Sequence, residues 1–486
     1  KPLHVEETDA ALVVTTGPAR FLLSKSSFNL ISAAWLDADG NGRFEDGEQI
    51  VRAGAEDGLW YENQTRTRLN AAHAGTTLTL VESGPQRAVI AAEGWYRSGD
   101  TRECLHKTRL FFARNSATVK VKHSWINTAD SRTQRVREIS LKLGLPGVER
   151  YAFGGAEGGI AEGPLPAGGI YQIQVSSKSC PIETEIGRAA GPDFARMGGW
   201  LYAATPRGGL SLAGRDLWKL YPKELHVGPG GVGLYLWPVH GREVFPLDYQ
   251  LQIPHLIQLL SAHQGRELSF QMPRTYYDKL GAYWHEGWVT GARPNTFGPF
   301  IFWKAWRGYN ANAQGVALSV EMDITLHPRA AGPQAARRAA EVLDVNPHGV
   351  ADPKWTRFTN AIGPVHEKDP VRFGGVERLI DETFERSFIR QPEELDDYGM
   401  LNWPDYHNYA FDAWRPNPGA FHRCWSNSHY QDPRAFYHQY LRSGDARAWR
   451  LAAAKFRHAM DIDAVNYGDD PPIAPFHQRA STYHPK

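Results

Sequence analysis

Short apolar runs separated by glycine and proline turns dominate the chain as far as about residue 327. Runs such as TTLTLVE, RAVIAAEGWY and ATVKVKHSWI are rich in β-branched and aromatic residues and are bounded by turn residues, which is typical of strands. No helical pattern is interleaved among them, so we expect the strands to pair antiparallel. This part of the sequence therefore predicts a large antiparallel β-sandwich.

Helical spacing of apolar residues first appears from Gln334 to Leu343, and it returns from about Gly375 to Arg390. A period of three to four residues between apolar positions predicts an amphipathic helix in each segment. The second segment places five apolar residues on one side: Val376, Leu379, Ile380, Phe384 and Phe388. We expect this side to be the packed face.

Two further helices are predicted near the end of the chain. Asp432 followed by Pro433 favours a helix start, because Asp caps helix N-termini and Pro is accepted at the first helical position. Gly444 is expected to end this helix, and a second one is predicted from about Ala446 to Asp463. The second helix has one apolar stripe, which we expect to be its packed side: Trp449, Ala453, Phe456 and Met460. On the opposite side lie three polar residues, which we expect to face a central funnel: Arg450, His458 and Asp461.

These patterns predict a multidomain β + α protein. A β-barrel-like N-terminal domain is expected over residues 1–80, and the β-sandwich over residues 81–330. A linker with a short helix follows at 331–372, and residues 373–486 are expected to form the first part of a C-terminal α/α toroid. Fewer helices are visible than a complete toroid needs, so the toroid is predicted to be incomplete in this chain.

Charge and cysteine content narrow the function classes for this chain of 486 residues. Its net charge is +1 and neither sign forms long runs, which disfavours nucleic acid or an anionic membrane as a partner. No apolar run is long enough to span a membrane. The three cysteines, Cys104, Cys180 and Cys424, form neither a metal motif nor a disulfide framework. The chain begins at Lys1, as a secreted or periplasmic protein would after removal of its signal peptide.

One loop in the first 80 residues matches a calcium-binding pattern. The twelve residues from Asp37 to Glu48 read DADGNGRFEDGE, with oxygen-bearing side chains at alternate positions and Gly42 where a sharp bend is needed. The predicted ligands are Asp37, Asp39, Asn41, Arg43 and Glu48. Strand-like flanks suggest a structural calcium ion, and an acidic hairpin turn without an ion is the alternative.

A polar loop ahead of Asp432 offers groups suited to acid–base chemistry on a sugar. Asn427, His429 and Tyr430 supply an amide, an imidazole and a phenol within four residues. Elimination from a uronic acid needs its carboxylate neutralised, a base for the C5 proton and an acid for the leaving oxygen. We assign these roles to Asn427, His429 and Tyr430 respectively. A capped helix start with packed aromatic residues is the structural alternative.

Other polar residues are predicted to help bind the substrate or take part in catalysis. Trp425, Asp405 and Tyr406 are candidates for a pocket wall that binds sugar hydroxyls, and a polar turn is the alternative. His458 is a further catalytic candidate, which Asp461 could orient from three residues away. Arg457 and Lys223 are candidates for contacts with an acidic substrate. Zinc is not expected, because no zinc-ligand spacing accompanies these residues.

Several of these segments resemble the YetA-like family of rhamnogalacturonan exolyases, polysaccharide lyase family 26 and its relatives. The resemblance is carried by LWKLYPK and LYLWP in the β region, and by YGMLNW, YLRSGD and Arg457-His458 with Asp461 in the helical region. It implies lyase chemistry on a β-sandwich and an α/α toroid, often with calcium. The chain departs from the family at Ser428-His429, where an acidic residue is usual, and at Pro404-Asp405, where Gly-Asp is usual.

The changed residues favour a different uronic-acid polymer, such as ulvan or another rhamnose and uronate polysaccharide. We therefore predict a secreted polysaccharide lyase with an acidic polysaccharide as its partner, acting by β-elimination in a cleft between the two domains. One alternative is a glycoside hydrolase, which needs two carboxylates; Asp405 and Asp461 are the pair to suspect. A carbohydrate-binding protein without catalysis is the other alternative.

Overall fold

The structure is a computed structural model that describes residues 2–131, 133–189, 191–242, 261–263, 266–269, 313–345, 351–401, 403–410, 423–426 and 432–468. Contacts between residues divide the chain into two compact units. The first, called here the sheet unit, comprises Lys1–Pro246, Ser261–Phe270 and Asn312–Asn346. The second, the helical unit, comprises Leu247–Leu260, Gln271–Ala311 and Pro347–Lys486. The domain boundaries predicted at residues 80, 330 and 372 stay predictions.

The sheet unit begins with a five-stranded antiparallel sheet in which the strands pair in chain order. Its strands are β1 His4–Glu7, β2 Ala11–Thr15, β3 Ala19–Ser24, β4 Ala33–Leu36 and β5 Gln49–Arg52. Alternate residues of β2 and β3 are buried, as expected for strands with one face on a core. Phe21 packs on Phe112 of the following strands, with ring centroids 5.4 Å apart. The predicted barrel-like start is thus an open sheet packed on the larger β structure.

A second antiparallel strand system makes up the rest of the sheet unit. It contains β6 Gly58–Asn63, β7 Arg68–Asn70, β8 Thr77–Ser83, β9 Arg87–Ser98, β10 Thr101–Ala113, β11 Thr118–Ile126, β12 Val136–Gly144, β13 Arg150–Gly155, β14 Ile160–Pro164, β15 Ile170–Gln174, β16 Ile182–Thr184, β17 Gly187–Arg188, β18 Met197–Thr205, β19 Gly208–Gly214, β20 Lys223–Gly228, β21 Gly231–Trp237, β22 Ser261–His263, β23 Glu267–Ser269 and β24 Ala317–His327. Pairing of β24 with both β11 and β19 joins the early and late strands into one connected system. The long-range pairing explains why strands distant in sequence share one core.

The first helix, α1 Pro333–Val345, packs on this strand system. Ala336, Ala340 and Leu343 are buried against Trp200 and Tyr202. Spacing of four and three residues places the three side chains on one helix face. The helix predicted from Gln334 to Leu343 is therefore present, and it belongs to the core of the sheet unit.

The helical unit contains α2 Pro353–Thr359, α3 Gly374–Thr383, α4 Gln391–Leu395, β25 Tyr406–Ala410, β26 Arg423–Ser426, α5 Asp432–Ser443 and α6 Ala446–His458. A π-helical turn follows α3 at Phe384–Arg390, and another follows α6 at Ala459–Asp463. The predicted break between the last two helices is confirmed, because Gly444 has a φ of 75°, which favours glycine. The two strands β25 and β26 pair with each other.

The face predicted for the segment from Gly375 to Arg390 is only partly correct. Phe384 is buried, whereas Val376 and Leu379 are 59% and 64% exposed. A π-helical turn has more residues per turn than an α-helix. Residues before and after that turn therefore do not share the single face that a constant helical period predicts.

The packed face predicted for α6 was wrong. Ala448, Ala452, Lys455 and His458 are its buried residues, whereas Phe456 and Met460 are exposed. The two alanines allow close approach, and they join a buried cluster with residues of α5 and of the preceding π-helical turn: Phe384, Phe436 and Tyr440. Close packing decided the buried side of α6, and two polar side chains are buried with it.

Candidate functional site

A buried cluster of charged side chains lies at the start of β25 in the helical unit. Lys455 Nζ donates to Asp405 Oδ1 at 3.0 Å, and His458 Nε2 donates to Asp405 Oδ2 at 3.3 Å. The exposed fractions are 6% for Asp405, 1% for Lys455 and 5% for His458. Buried charges persist only when they are paired, so each member of the cluster depends on the others.

Helix α6 positions both cations of this cluster. Lys455 and His458 are three residues apart, which places their side chains on the same face of the helix. The helix start is fixed by Asp445, whose side chain accepts from the backbone N–H of Arg447 at 2.9 Å. Asp405 reaches this face from the segment immediately before β25. The sequence thus joins residues fifty positions apart in one charged contact.

The cluster holds its carboxyl and imidazole groups in charged form. Burial by itself raises the pKa of Asp405, but the positive charges of His458 and Lys455 outweigh it and hold the pKa below its ordinary value. Burial by itself lowers the pKa of His458, but the carboxylate of Asp405, with help from Asp463, raises it to about 9. At neutral pH the pair is therefore an imidazolium facing a carboxylate. In this state His458 is a proton donor rather than a base.

Two predictions about this region need correction. His458 does not lie on an open polar face, since it is buried with Lys455. The carboxylate that holds its imidazole is Asp405, a role that the sequence had suggested for Asp461. Asp461 lies beyond the end of α6, in the π-helical turn Ala459–Asp463, where the helical spacing behind that expectation no longer applies. Arg457 is half-buried on α6.

The predicted catalytic residues Asn427, His429 and Tyr430 lie outside the described residues. The described elements on either side of them are β26, which ends at Ser426, and α5, which begins at Asp432. Trp425 is a residue of β26 and Tyr406 a residue of β25. Register pairs Tyr406 with Ser426. Asp405 therefore lies immediately before β25, which pairs with β26. The predicted catalytic loop follows β26 in the sequence.

Lys223 has a structural contact in place of the predicted substrate contact. Its Nζ donates to the backbone carbonyl oxygens of Leu220 at 2.6 Å, Pro222 at 3.0 Å and Leu236 at 3.1 Å. An ammonium group has three N–H donors, so none is left for a sugar. Burial lowers the pKa of Lys223 to about 7. The sequence showed a lysine beside aromatic residues but not the carbonyl groups that surround it.

A second carboxylate–imidazole pair, which the sequence interpretation missed, lies in the sheet unit. His240 Nδ1 is 2.6 Å from Oε1 of Glu224, whose side chain is fully buried. The imidazole packs against both Tyr171 and His226, with ring centroids 5.0 and 5.1 Å away. Burial lowers the pKa of His240, but Glu224 outweighs it and the net shift is upward. The residues come from separate strands and a loop, so no local motif announces this pair.

The structure brings three of the predicted calcium ligands together. Oxygen atoms of Asp37, Asp39 and Glu48 lie within 4.8 Å of one another. Backbone N–H groups of Gly42 and Ala38 donate to Asp37 Oδ2 and Glu48 Oε1 at 2.9 Å each, which holds these carboxylates inward. Asp37 Oδ1 is buried and accepts no hydrogen bond in the part of the chain that the structure describes. A hard cation such as calcium fits this oxygen set.

The other two predicted ligands are tied to the loop itself. Asn41 Oδ1 accepts from the backbone N–H of Arg43 at 2.7 Å, and Asn41 Nδ2 donates to Asp39 Oδ2 at 2.8 Å. An amide oxygen has two lone pairs, so this hydrogen bond leaves Asn41 able to bind an ion. Of the five predicted ligands, the three carboxylates are those whose oxygen atoms the structure brings together.

Comparison with known families identifies both parts of the fold. Residues 3–153 match the PcRGLX-like protein central beta sandwich domain, and residues 346–473 match the PcRGLX-like protein C-terminal alpha/alpha toroid domain. Two segments of this chain are PcRGLX-like. The matches confirm the predicted antiparallel β-sandwich and C-terminal α/α toroid. The finer assignment to the YetA-like family stays a prediction, and no curated protein matches the chain.

Solved structures show only distant likeness. A TPR-domain containing protein from Parabacteroides distasonis is 8% identical with a TM-score of 0.26, over 62% of this chain and 63% of its own length. The galactosidase domain of AgaSK, an alpha-galactosidase-sucrose kinase, is 8% identical with a TM-score of 0.30, over 48% of this chain and 38% of its own. Slr1438 from Synechocystis is 8% identical with a TM-score of 0.28, over 68% and 96%. Such low scores carry no argument about function.

The described helices also bear on membrane insertion. None of the helices in the described ranges is long and apolar enough to cross a membrane.

Proposed function

We propose that this protein is a polysaccharide lyase that cleaves an acidic polysaccharide by β-elimination. The observation that carries the proposal is the presence of both PcRGLX-like domains in one chain. The resemblance of its motifs to rhamnogalacturonan exolyases supports the same chemistry. A rhamnose and uronate polymer, such as ulvan or rhamnogalacturonan, is the proposed substrate class. A secreted or periplasmic location is proposed with it, because such polymers are extracellular.

The proposed reaction assigns one role to each residue of the predicted loop. Asn427 neutralises the uronate carboxylate, which makes the C5 proton acidic enough to be removed. His429 takes that proton as the C4–O bond breaks, and the electron pair forms a C4=C5 double bond. Tyr430 protonates the leaving oxygen, so that no water is consumed.

The buried cluster argues against Asp405 as the general acid of a hydrolase. A hydrolase on this scaffold would need one carboxylic acid with a raised pKa beside a second carboxylate. Asp405, one of the two suspected residues, has a lowered pKa and both of its oxygens are engaged by cations. It is thus ionised and unsuited to donating a proton. We assign Asp405, Lys455 and His458 as positioning residues that hold the start of β25 against α6.

The test is to follow ultraviolet absorbance of the conjugated double bond while the protein acts on ulvan, rhamnogalacturonan and other uronic-acid polysaccharides. We expect absorbance to rise, and we expect His429→Ala to lower kcat at least about 100-fold. Asp461→Asn serves as the matched control, because the hydrolase alternative needs Asp461 and the lyase does not. New reducing ends without a rise in absorbance, abolished by Asp461→Asn, would favour the hydrolase. Sugar binding without any product would favour a binding protein.

We also propose that Asp37, Asp39 and Glu48 hold a structural calcium ion. Three carboxylates this close repel one another unless a cation lies between them. Calcium is expected to raise the unfolding temperature of the wild type, and a chelator to lower it. Asp39→Ala should remove this response, whereas Asp46→Ala, which removes an exposed carboxylate of the same loop, should keep it. An equal response in both variants would contradict the proposed site.

A further inference from the structure

A cleft on the sheet unit presents hydrogen-bond donors that the proposed reaction does not use. Its volume is ≈ 690 Å³, and its lining includes Trp60, Arg68, Asn70, His73 and Arg97. These residues come from β6, β7, the loop after β7, and β9. A cleft of this size accommodates a small saccharide.

Arg97 is the member of this cleft whose chemistry most clearly calls for a ligand. Its Nε is buried and donates to no acceptor among the described residues. A buried guanidinium N–H without an acceptor is costly, because its hydration has been lost without replacement. An anion bound in the cleft would satisfy this donor.

The register of the strands concentrates positive charge beside Arg97. Arg102 on β10 is directly opposite Arg97, and Asn70 on β7 is opposite it on the other side. Like charges directly opposite each other on antiparallel strands are destabilising. A negatively charged group bound between these strands would offset the repulsion.

The other polar residues of the cleft differ in what they offer a ligand. Asn70 Oδ1 accepts from the backbone N–H of Ala72 at 3.0 Å, which orients the amide. His73 Nδ1 accepts from Gly75 N–H at 3.0 Å and its Nε2 lies 2.8 Å from Trp95 O. With Nδ1 accepting, Nε2 is the ring nitrogen that donates, and both nitrogens are engaged within the protein. His73 is thus a wall of the cleft, and Arg97 and Asn70 Nδ2 are its donors.

Aromatic surface and a second arginine complete the arrangement. The guanidinium of Arg68 lies 4.3 Å from the ring centroid of Trp60, and that of Arg102 lies 4.8 Å from Trp95. Arg68 is already paired with Glu56 at 2.8 Å, so its charge is partly compensated. Arg97 supplies the positive charge in the lining of the cleft, and Arg102 adds charge from the neighbouring strand. Trp60 and Arg68, which both line the cleft, give it a flat surface suited to a sugar ring.

We propose that this cleft is a second saccharide-binding site, one that recognises a carboxylate-bearing sugar through Arg97. It goes beyond the proposed function, because it is built from residues of the sheet unit alone and needs no chemistry. The carboxylate would accept from Arg97, and Asn70 Nδ2 would donate to a neighbouring sugar oxygen. A neutral sugar would leave the guanidinium without its acceptor.

The experiment measures hydrogen exchange in the full-length protein with galacturonate and glucuronate oligosaccharides as probes. We expect these oligosaccharides to protect peptides from β7 and β9. The oligosaccharide concentration that gives half of the full protection should be at least about ten-fold higher in Arg97→Ala than in the wild type. Arg97→Lys should recover part of the affinity, because it keeps the charge but loses the planar fork. Arg109→Ala is the matched control, since it removes an exposed arginine from β10 and should leave protection unchanged.

Further outcomes would overturn the proposal. Equal protection in Arg97→Ala and Arg109→Ala would do so, as would equal affinity for neutral oligosaccharides. Inorganic sulfate binding as tightly as the uronates would mean an anion site without sugar recognition. Because the readout is local to β7 and β9, it does not depend on turnover. A protein without lyase activity that still showed Arg97-dependent protection would contradict the proposed function alone.

Discussion

Two histidines with nearly the same burial differ in protonation: one in the helical unit is positively charged at neutral pH, and one in the sheet unit is neutral. His458 in the helical unit is 5% exposed and His123 in the sheet unit is 1% exposed. Beside His458 stands the carboxylate of Asp405, and its pKa is raised to about 9. Beside His123 stand the hydroxyls of Thr108 at 2.9 Å and Tyr96 at 3.4 Å, and burial lowers its pKa to about 3.

The comparison shows that the neighbouring group, and not burial, decides the charge of a buried histidine. Desolvation penalises the imidazolium at both sites, and only a carboxylate offsets the penalty. The helical unit therefore contains a buried ion pair, which is stable only while both partners remain. The sheet unit contains a neutral imidazole bonded to hydroxyls, which loses less when one partner is removed.

The largest effect is expected when the shared carboxylate is removed. Asp405→Asn leaves Lys455 and His458 buried without their counter-charge, and we expect it to destabilise the helical unit by about 3–5 kcal/mol. Hydrogen exchange across α6 measures this loss within the unit. The control is Glu382→Gln, which removes one partner of an exposed pair with Arg378 and should change stability by less than about 0.5 kcal/mol. Similar exchange in both variants would contradict the assigned role of Asp405.

A smaller effect is expected from pH, with opposite directions in the two units. The folded pKa of His458, about 9, is above its ordinary value of 6.5, so its contribution is complete below pH 6.5 and is lost as pH rises through 9. The loss should reach about 3 kcal/mol. The folded pKa of His123, about 3, is below 6.5. The unfolded chain therefore binds the proton first, and the sheet unit loses stability as pH falls below 6.5.

Hydrogen exchange measured separately in α6 and in β11 between neutral and alkaline pH checks these directions. After correction for the intrinsic pH dependence of exchange, protection should fall in α6, whereas His123 is already neutral at pH 7 and should contribute no change in β11. The alkaline loss in α6 should disappear in His458→Gln. A loss of equal size in that variant would assign the pH dependence to other groups.

The smallest effect is expected when a hydroxyl partner of His123 is removed. Thr108→Val leaves Nδ1 of a neutral imidazole without its hydrogen-bond partner, and we expect a loss of about 1–2 kcal/mol in the sheet unit. Thr101→Val, an exposed position on the same strand, is the control and should change little. Urea unfolding followed by tryptophan fluorescence measures both. A loss above that of Asp405→Asn would reverse the comparison.

Much of the fold follows from local sequence patterns. Runs of β-branched and aromatic residues bounded by turns predicted the strands, and helical spacing predicted α1 and α6. The Asp432-Pro433 pair predicted the start of α5, and Gly444 predicted its end. The acidic loop from Asp37 to Glu48 gathers its carboxylates as its spacing predicted. In each case the information lies within one turn or one short element, where the backbone itself fixes the geometry.

The buried cluster of Asp405, Lys455 and His458 could not be predicted, because it is formed by contacts between segments far apart in the sequence. No local pattern marks Lys455 as buried, and its contact with Asp405 comes from a segment fifty residues earlier. Sequence spacing favoured Asp461 as the partner of His458, yet the fold supplies a carboxylate from another segment. Arg97 likewise became a candidate ligand-binding residue only when strand pairing placed Arg102 and Asn70 opposite it. Burial and charge at these positions are properties of strand pairing and helix packing.

The most direct test of the proposed reaction is to let the protein cleave its polysaccharide in water labelled with the heavy oxygen isotope. The products are analysed by mass spectrometry before the oxygen of the reducing end exchanges with the solvent. Elimination consumes no water, so we predict products that carry no heavy oxygen and bear a double bond at the new non-reducing end. Incorporation of one heavy oxygen at each cleaved bond, with saturated products, would contradict the lyase and establish hydrolysis.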